Sequence, residues 1–186
     1  MIGFASCGSF CTLSRAMQQM ELLSKTHELL PIVSPVVATT DTRFGKAADL
    51  LALMESISGR KPITTIAGAE PLGPAIPLEA LVIAPCTGNT LAKMAGGITD
   101  TSVTMAAKAH LRNGRPLIIA LASNDALSAN LRNIGTLLER KNVYFVPLGQ
   151  DDPKSKPHSM VCDFARIPET LAAALEGRQL QPLLTK

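Results

Sequence analysis

Short apolar runs recur along the chain and are separated by longer amphipathic stretches. The runs Ile2–Ala5, Leu81–Ala84, Leu117–Ala122 and Val143–Pro147 are long enough for buried strands and too short for helices. Weaker strand candidates lie at Glu28–Ser34, where Pro31 suggests a sheet edge, and at Ile63–Ile66. Between the runs, apolar residues at helical spacing predict helices over about 10–25, 43–58, 91–95, 102–112, 126–140 and 168–176.

This alternation of strands and helices predicts one α/β domain over residues 1–186. We expect a mostly parallel sheet covered by helices on both faces, a three-layer sandwich of flavodoxin-like or Rossmann-like type. In such folds ligands bind at the carboxyl ends of the strands. The polar, Pro-rich segment at about 148–165 predicts a flexible flap or an arm that reaches a neighbouring subunit.

Two polar loops follow predicted strands and are suited to an anion. The elbow after Leu81–Ala84 opens with Pro85, which has no N–H for a strand ladder, and continues with small polar residues of which Asn89 or Thr90 can cap the next helix. A small-residue loop at 6–9 follows the first strand. Backbone N–H groups at such strand-to-helix junctions favour phosphate or carboxylate groups.

Composition and charge exclude several functional classes. The formal charge is only +3, the basic residues form no block, and the six aromatic residues include no Trp, which argues against a nucleic-acid platform built on base stacking. No apolar run approaches the ~20 residues of a membrane span, and the first residues lack a signal-peptide pattern, so a cytoplasmic location is expected. The four cysteines have no CxxC or His spacing typical of zinc, which favours free thiols and no metal site over a disulfide or metal centre.

The segment APCTGNTLAKMAGGITD, Ala84–Asp100, resembles a known signature, P-[AC]-S-x-x-T-[IL]-A-K-x-A-x-G-I-x-D. That signature is typical of the flavoprotein superfamily of phosphopantothenoylcysteine decarboxylases, lantibiotic decarboxylases and flavin prenyltransferases. Within it, the chain resembles the B subunits of dipicolinate synthase in the stretches TTDTRFGKA (39–47), GAEPLGP (68–74), MAAKAHLRNGRPLIIALASNDAL (105–127) and KNVYF (141–145). The resemblance extends from Gly3 to about Pro182.

The resemblance implies FMN as cofactor. The residues that it implies as cofactor contacts are Ser6, Gly8, Ser9, Cys86, Thr87, Asn89, Thr90 and Ser123. The polar loops by themselves predict only an anion pocket. Cys86 lies at a predicted helix N-terminus, which would lower the pKa of a thiol, but we interpret it as packing or a ring contact rather than a nucleophile.

The resemblance also implies a reaction and partners. It implies oxidation of a dihydro- or hydroxytetrahydro-dipicolinate to pyridine-2,6-dicarboxylate in the mother cell of a sporulating bacterium, together with a dehydrogenase-like A subunit on which NAD(P) is possible. Arg43 and Lys46 are the candidate catalytic residues, because cations at the sheet edge can meet a substrate's carboxylates. Placed in the first turn of the helix predicted over 43–58, both would oppose the helix dipole, a mild cost that makes a function plausible. A solvated face is the favoured alternative on the residues alone, and the resemblance shifts the preference to a function. Arg112 is a further candidate cation. A homo-oligomer, trimer or dodecamer, is implied as well.

Two alternatives remain open. The chain is either a redox subunit or a non-catalytic flavodoxin-like partner that completes the active site of the dehydrogenase-like subunit. A third function, FMN-dependent decarboxylation of a phosphorylated cysteine conjugate, is disfavoured because none of His27, His110 and His158 lies in TTDTRFGK, where the decarboxylases carry a catalytic histidine.

Overall fold

A single twisted sheet forms the centre of the protein. The computed structural model describes residues 1–185. The strands of the sheet are β1 (Ile2–Ser6), β2 (Leu29–Val33), β3 (Ala80–Cys86), β4 (Leu117–Ser123), β5 (Val143–Phe145), β6 (Leu148–Gly149) and β7 (Met160–Cys162). The first five are parallel in the order β2-β1-β3-β4-β5, which confirms the flavodoxin-like prediction.

Helices cover both faces of this sheet and complete the three-layer sandwich. The helices are α1 (Leu13–Ser24), α2 (Pro35–Thr39), α3 (Ala47–Ser58), α4 (Ile66–Ala69), α5 (Gly88–Ala95), α6 (Ser102–Leu111), α7 (Leu131–Leu138) and α8 (Ile167–Leu175). Helix α1 packs against α3 and α8 in one layer, and α5 packs between α6 and α7 in the other. No helix within residues 1–185 combines the length and the apolar character needed to cross a membrane.

The core is aliphatic because the central strands are buried on both sides. Every residue of β1, β3 and β4 is buried, as expected for parallel strands that are sandwiched between helices. This burial explains why these three strands are recognisable as nearly continuous apolar runs. The polar groups that end the strands therefore meet at one edge of a rigid sheet.

Helix α3 begins at Ala47, so the prediction of a helix from Arg43 was wrong. Thr42 and Gly45 exchange two backbone hydrogen bonds in a tight turn, and Gly45 has a φ of 144° that a helix cannot contain. Asp41 Oδ1 accepts from the Ala47 N–H at 2.9 Å and satisfies the new helix start. Arg43 and Lys46 thus precede the helix, and the argument that its dipole makes them costly does not apply.

Two strand predictions also need correction. The strand expected at Ile63–Ile66 is reduced to one parallel bridge, between Ile63 and Ile32, and α4 begins at Ile66 with the Thr65 hydroxyl as its cap. Strand β3 does not end before Pro85 but continues to Cys86, with a register shift after Ile83 that accommodates the missing N–H.

The segment predicted as a flap contains regular structure at both ends. Strand β7 pairs antiparallel with β6 and with the end of β4, where Ala122 lies opposite Val161. The loop between β6 and β7 is held by the buried Ser159, whose hydroxyl donates to Asp151 Oδ1 at 2.6 Å. Flexibility of this loop stays a prediction.

Candidate functional site

The loops that follow β1, β2 and β3 meet at the carboxyl edge of the sheet. The Cys7 N–H donates to the Pro85 carbonyl at 3.0 Å, and the Ser34 N–H donates to the Ser6 carbonyl at 3.0 Å. Thr90 Oγ1 donates to Cys7 Sγ at 3.2 Å and joins α5 to the first loop. The fold therefore brings the two polar loops of the sequence together, and adds the end of β2 to them.

Ser34 is the functional candidate that the sequence alone does not reveal. It follows β2 directly and is 5% exposed, yet its hydroxyl has no hydrogen-bond partner within residues 1–185. A buried hydroxyl without a partner costs about 1–3 kcal/mol, so the position is unfavourable unless a ligand supplies the bond. The only sequence signal is a serine placed immediately after a strand whose carboxyl end borders the first polar loop.

Gly8 and Ser9 form an open cradle beside Ser34. A Cβ at Gly8 would lie 3.0 Å from Val36 Cγ1, so the loop and the start of α2 are in close contact. The Gly8 N–H has no acceptor among the described residues. Ser9 Oγ accepts from Thr12 Oγ1 at 3.0 Å and keeps its own proton available for a ligand.

The elbow after β3 differs in detail from the prediction. Thr87, not Asn89 or Thr90, caps α5, and its hydroxyl accepts from the Thr90 N–H at 3.3 Å. Asn89 is exposed, with no side-chain hydrogen bond within residues 1–185. Of the elbow residues, Asn89 therefore offers the least encumbered polar side chain.

Besides the Thr87 hydroxyl, three more of the predicted contact hydroxyls are occupied within the chain. Ser6 Oγ donates to the Ala84 carbonyl at 2.8 Å, Ser123 Oγ donates to Asp125 Oδ1, and Thr90 Oγ1 is held by Cys7. The bond of Ser6 ties β1 to β3, the bond of Thr90 ties α5 to the first loop, and the bond of Ser123 closes the turn after β4. These hydroxyls act as structural clamps around the site rather than as free donors into it.

The carboxylate of Asp125 already lies at the N-terminus of α5. A Cβ at Gly88 would lie 2.8 Å from Asp125 Oδ1, so this carboxylate approaches the helix start directly. The hydrogen bond from Ser123 holds the pKa of Asp125 below its usual value. Because an anion at a helix N-terminus satisfies the helix dipole, a phosphate is better accommodated on the side of Gly8, Ser9 and Ser34.

The buried thiols are not activated. Burial raises the pKa of Cys86 well above its ordinary value and raises that of Cys7 to about 11. The expectation that a helix N-terminus lowers the pKa of Cys86 was wrong, because desolvation outweighs the dipole. All four cysteines are free, as predicted, and Cys11 is the exposed one.

Arg43 and Lys46 lie beside an apolar groove next to the cradle. This groove, with a volume of about 450 Å³, runs between α1 and α3 and is lined by Phe10, Val37 and Lys46 among others. The Arg43 guanidinium stacks on the Phe44 ring at 4.9 Å. Both cations are exposed, and neither forms an ion pair within residues 1–185. Arg112 does not join them: it lines a separate cavity after α6.

No histidine lines the groove or the cradle among the described residues. His110 is buried near the opposite end of α6 and bonds the Pro116 carbonyl through Nε2 at 2.8 Å, and burial lowers its pKa. His158 lies in the β6–β7 loop, and its carbonyl accepts from the Leu127 N–H. Within the same residues, no group of His, Cys, Asp or Glu side chains is arranged to hold a metal ion.

Comparison with known proteins gives consistent matches. The family model described as Flavoprotein matches residues 36–179. The chain is 45% identical over 186 residues to the B subunit of dipicolinate synthase from Bacillus subtilis (strain 168), covering 100% of this chain and 93% of that relative. It superposes on the crystal structure of the corresponding B subunit from Bacillus halodurans C with a TM-score of 0.91 and 43% identity, over 100% of this chain and 95% of the other. The FMN-dependent cysteine decarboxylase SpaF gives a TM-score of 0.67 at 25% identity, over 94% of both chains.

Proposed function

Because the chain belongs to the flavoprotein family, we propose that it binds FMN and works as the B subunit of a dipicolinate synthase. Its role is to contribute to the oxidation of a dihydro- or hydroxytetrahydro-dipicolinate to pyridine-2,6-dicarboxylate. The identity of 45% to a B subunit along the whole chain supports the subfamily. In this proposal the protein acts in the mother cell of a sporulating bacterium.

The single observation that carries the cofactor proposal is the unpartnered hydroxyl of Ser34. It is buried beside Gly8 and Ser9, at the sheet edge where open α/β folds bind phosphate groups. A phosphate oxygen would satisfy the Ser34 hydroxyl and accept from the free Gly8 N–H. The residues present therefore fit a phosphate-bearing cofactor, with Asn89 at the elbow available to its polar ring, whereas the Thr87 hydroxyl is occupied in capping α5.

The remaining residues expected to contact the cofactor have supporting roles in this proposal. Ser6, Thr90 and Ser123 hold the loops in register through their internal hydrogen bonds, and Cys86 packs beneath the elbow. When bound, FMN supplies a two-electron acceptor at this edge. The chain itself excludes water from the strand ends and fixes the phosphate.

Arg43 and Lys46 are proposed to orient the substrate. Formation of the pyridine ring removes two electrons and two protons from a dihydro-dicarboxylate, and the hydroxylated form also loses water. Both carboxylates persist through the reaction, so cations beside the groove can pair with them in the substrate and in the product and thereby orient the ring. Flavin, or NAD(P) on a dehydrogenase-like A subunit, is the electron acceptor.

The exposure of Arg43 and Lys46 favours the alternative in which this chain is a non-catalytic partner. Two exposed cations beside a groove suit a surface that completes the active site of the A subunit, without redox chemistry in this chain. Both versions require the A subunit, and a trimeric or dodecameric assembly of this chain is compatible with either.

Reconstitution with the dehydrogenase-like subunit separates these versions. We expect pyridine-2,6-dicarboxylate to form only when both subunits and FMN are present, and Arg43→Gln or Lys46→Gln to lower kcat/KM at least tenfold. Lys61→Gln, which changes an exposed cation away from the groove, is the matched control. A rate that needs this chain but not FMN would establish the non-catalytic partner, and a rate independent of the chain would refute both.

A further inference from the structure

A second cavity, of about 420 Å³, lies between the C-terminal ends of α5, α6 and α7. Helices α6 and α7 end there before β4 and β5 begin, so the cavity is near the amino edge of the sheet. The cradle of Gly8, Ser9 and Ser34 lies at the opposite, carboxyl edge. The cavity is thus independent of the proposed flavin site.

Four cations line this cavity in two pairs. Lys108 and Arg112 are four residues apart at the end of α6, which places both on one side of that helix. Arg140 and Lys141 follow α7. Because α5 packs between α6 and α7, the two pairs lie on opposite walls.

The floor between the walls is mainly apolar. It is formed by Met94 at the end of α5, by Ala107 and Leu111 of α6, and by Ile98, which is 50% exposed. The Arg140 guanidinium donates to the Met94 carbonyl at 3.3 Å and is thereby fixed against this floor. An apolar surface between two positive walls is suited to a flat molecule with acid groups at both ends.

The charge of the cavity is uncompensated. None of the eleven described residues that line it is Asp or Glu, and none of the four cations forms an ion pair within residues 1–185. The nearby Asp100 is held by Lys93 Nζ at 2.8 and 2.9 Å. Helix C-termini tolerate cations, but that tolerance does not explain the lack of any carboxylate. The groove between α1 and α3, by contrast, contains Glu21 and Asp49.

We propose that this cavity binds a small amphipathic dianion, an aromatic or alicyclic dicarboxylate. One acid group pairs with Lys108 and Arg112, the other pairs with Arg140 and Lys141, and the ring lies on Met94 and Ile98. The ligand class is that of the proposed substrate and product, but the site is separate from Arg43 and Lys46. It therefore takes a second molecule, and its existence does not depend on flavin binding.

Titration calorimetry with benzene-1,3-dicarboxylate at low salt tests this site. We expect the dicarboxylate to bind at least tenfold more tightly than benzoate, which carries one acid group on the same ring. Arg112→Gln and Lys141→Gln, one from each wall, should each weaken binding at least tenfold, and Arg112→Lys should restore most of it. Arg132→Gln, on α7 outside the cavity, should leave affinity unchanged.

Equal affinity for benzoate, absence of binding, or affinity unchanged in both cavity variants would overturn the proposal. All four cations are exposed, so these substitutions leave the core intact, which a thermal melt verifies. Ser34→Ala should retain dicarboxylate binding. Failure of the flavin proposal is thus distinguishable from failure of this one.

Discussion

Side chains at the carboxyl edge either stabilise the fold or are available to a ligand, and Ser34 is the buried hydroxyl of the second kind. It has no hydrogen-bond partner within residues 1–185, and although Ser34 precedes α2 its hydroxyl makes no capping bond there. We predict that Ser34→Ala raises the stability of the ligand-free protein by about 1 kcal/mol, because the unsatisfied hydroxyl is removed. Urea unfolding of both proteins without FMN measures this difference; a loss of stability would show that the hydroxyl has a structural partner.

The buried thiols make the free energy of unfolding depend on pH in the alkaline range. Burial raises the pKa of Cys7 from 9.0 to about 11, so between these values the unfolded thiol loses its proton while the folded thiol keeps it. The contribution of this group to stability is therefore fully present below pH 9 and is lost as pH rises to 11, by roughly 2–3 kcal/mol.

Comparison with Cys7→Ala isolates this effect from the titration of lysines. Unfolding free energies measured at pH 8 and pH 10.5 should differ less in the variant than in the parent protein. Identical pH dependence in the two proteins would contradict the burial of an un-ionised thiol at this position.

At the scale of elements, two glycines in helices have opposite expected effects. A Cβ at Gly88, the first residue of α5, would lie 2.6 Å from both Ser123 Oγ and Asn130 Nδ2, whereas a Cβ at Gly135 in α7 meets no atom within 4 Å. We predict that Gly88→Ala destabilises the protein by about 2 kcal/mol, since the crowding outweighs a better helix propensity.

Gly135→Ala is the matched control, and it should stabilise the protein by about 0.5–1 kcal/mol because alanine favours the helix and nothing obstructs it. Thermal melts of both variants provide the measurement. A Gly88→Ala variant as stable as Gly135→Ala would mean that α5 and the elbow after β4 are not in close contact.

Elements that were predictable from the sequence are those whose pattern is local. Strands β1 and β4 were evident because both of their faces are buried, which makes their apolar runs continuous. The start of α3 was not evident, because apolar residues at helical spacing extend back to Phe44. The turn at Gly45 and the cap from Asp41, which delay the helix to Ala47, are not visible in that pattern. Strands β6 and β7 were missed because they are two and three residues long and depend on pairing, β7 with the end of β4 and β6 with β7.

The site was predictable in position but not in detail. The polar loops at the strand ends indicated the right edge, since parallel strands end together. The bonds that occupy Ser6 and Thr90 join residues 78 and 83 positions apart, and no local pattern reveals them. Ser34 was missed for the same reason: its significance is a missing partner, which only the packed structure defines.

At the scale of the whole molecule, the two edges of the sheet carry different chemistry. The carboxyl edge holds the cradle of Gly8, Ser9 and Ser34 and the groove with Lys46, whereas Arg112 belongs to the cation-lined cavity near the amino edge. Four of the 18 Lys and Arg residues line that cavity, and the other 14 are balanced by the 15 Asp and Glu residues of the chain. The positive surplus behind the formal charge of +3 is therefore concentrated at the cavity. In our proposals the carboxyl edge holds the phosphate-bearing cofactor and the cavity near the amino edge holds a dicarboxylate.

Retention of FMN by the purified protein tests the central claim most directly. Visible absorption is recorded after added FMN has been removed by gel filtration, for the parent protein, Ser34→Ala and the control Ser56→Ala, which changes an exposed serine near the C-terminal end of α3 that does not line the groove. We predict flavin bands that remain with the parent and with Ser56→Ala, and at least a tenfold weaker affinity in Ser34→Ala. A parent protein that retains no FMN, or a Ser34→Ala variant that retains it equally well, would contradict the proposed flavin site.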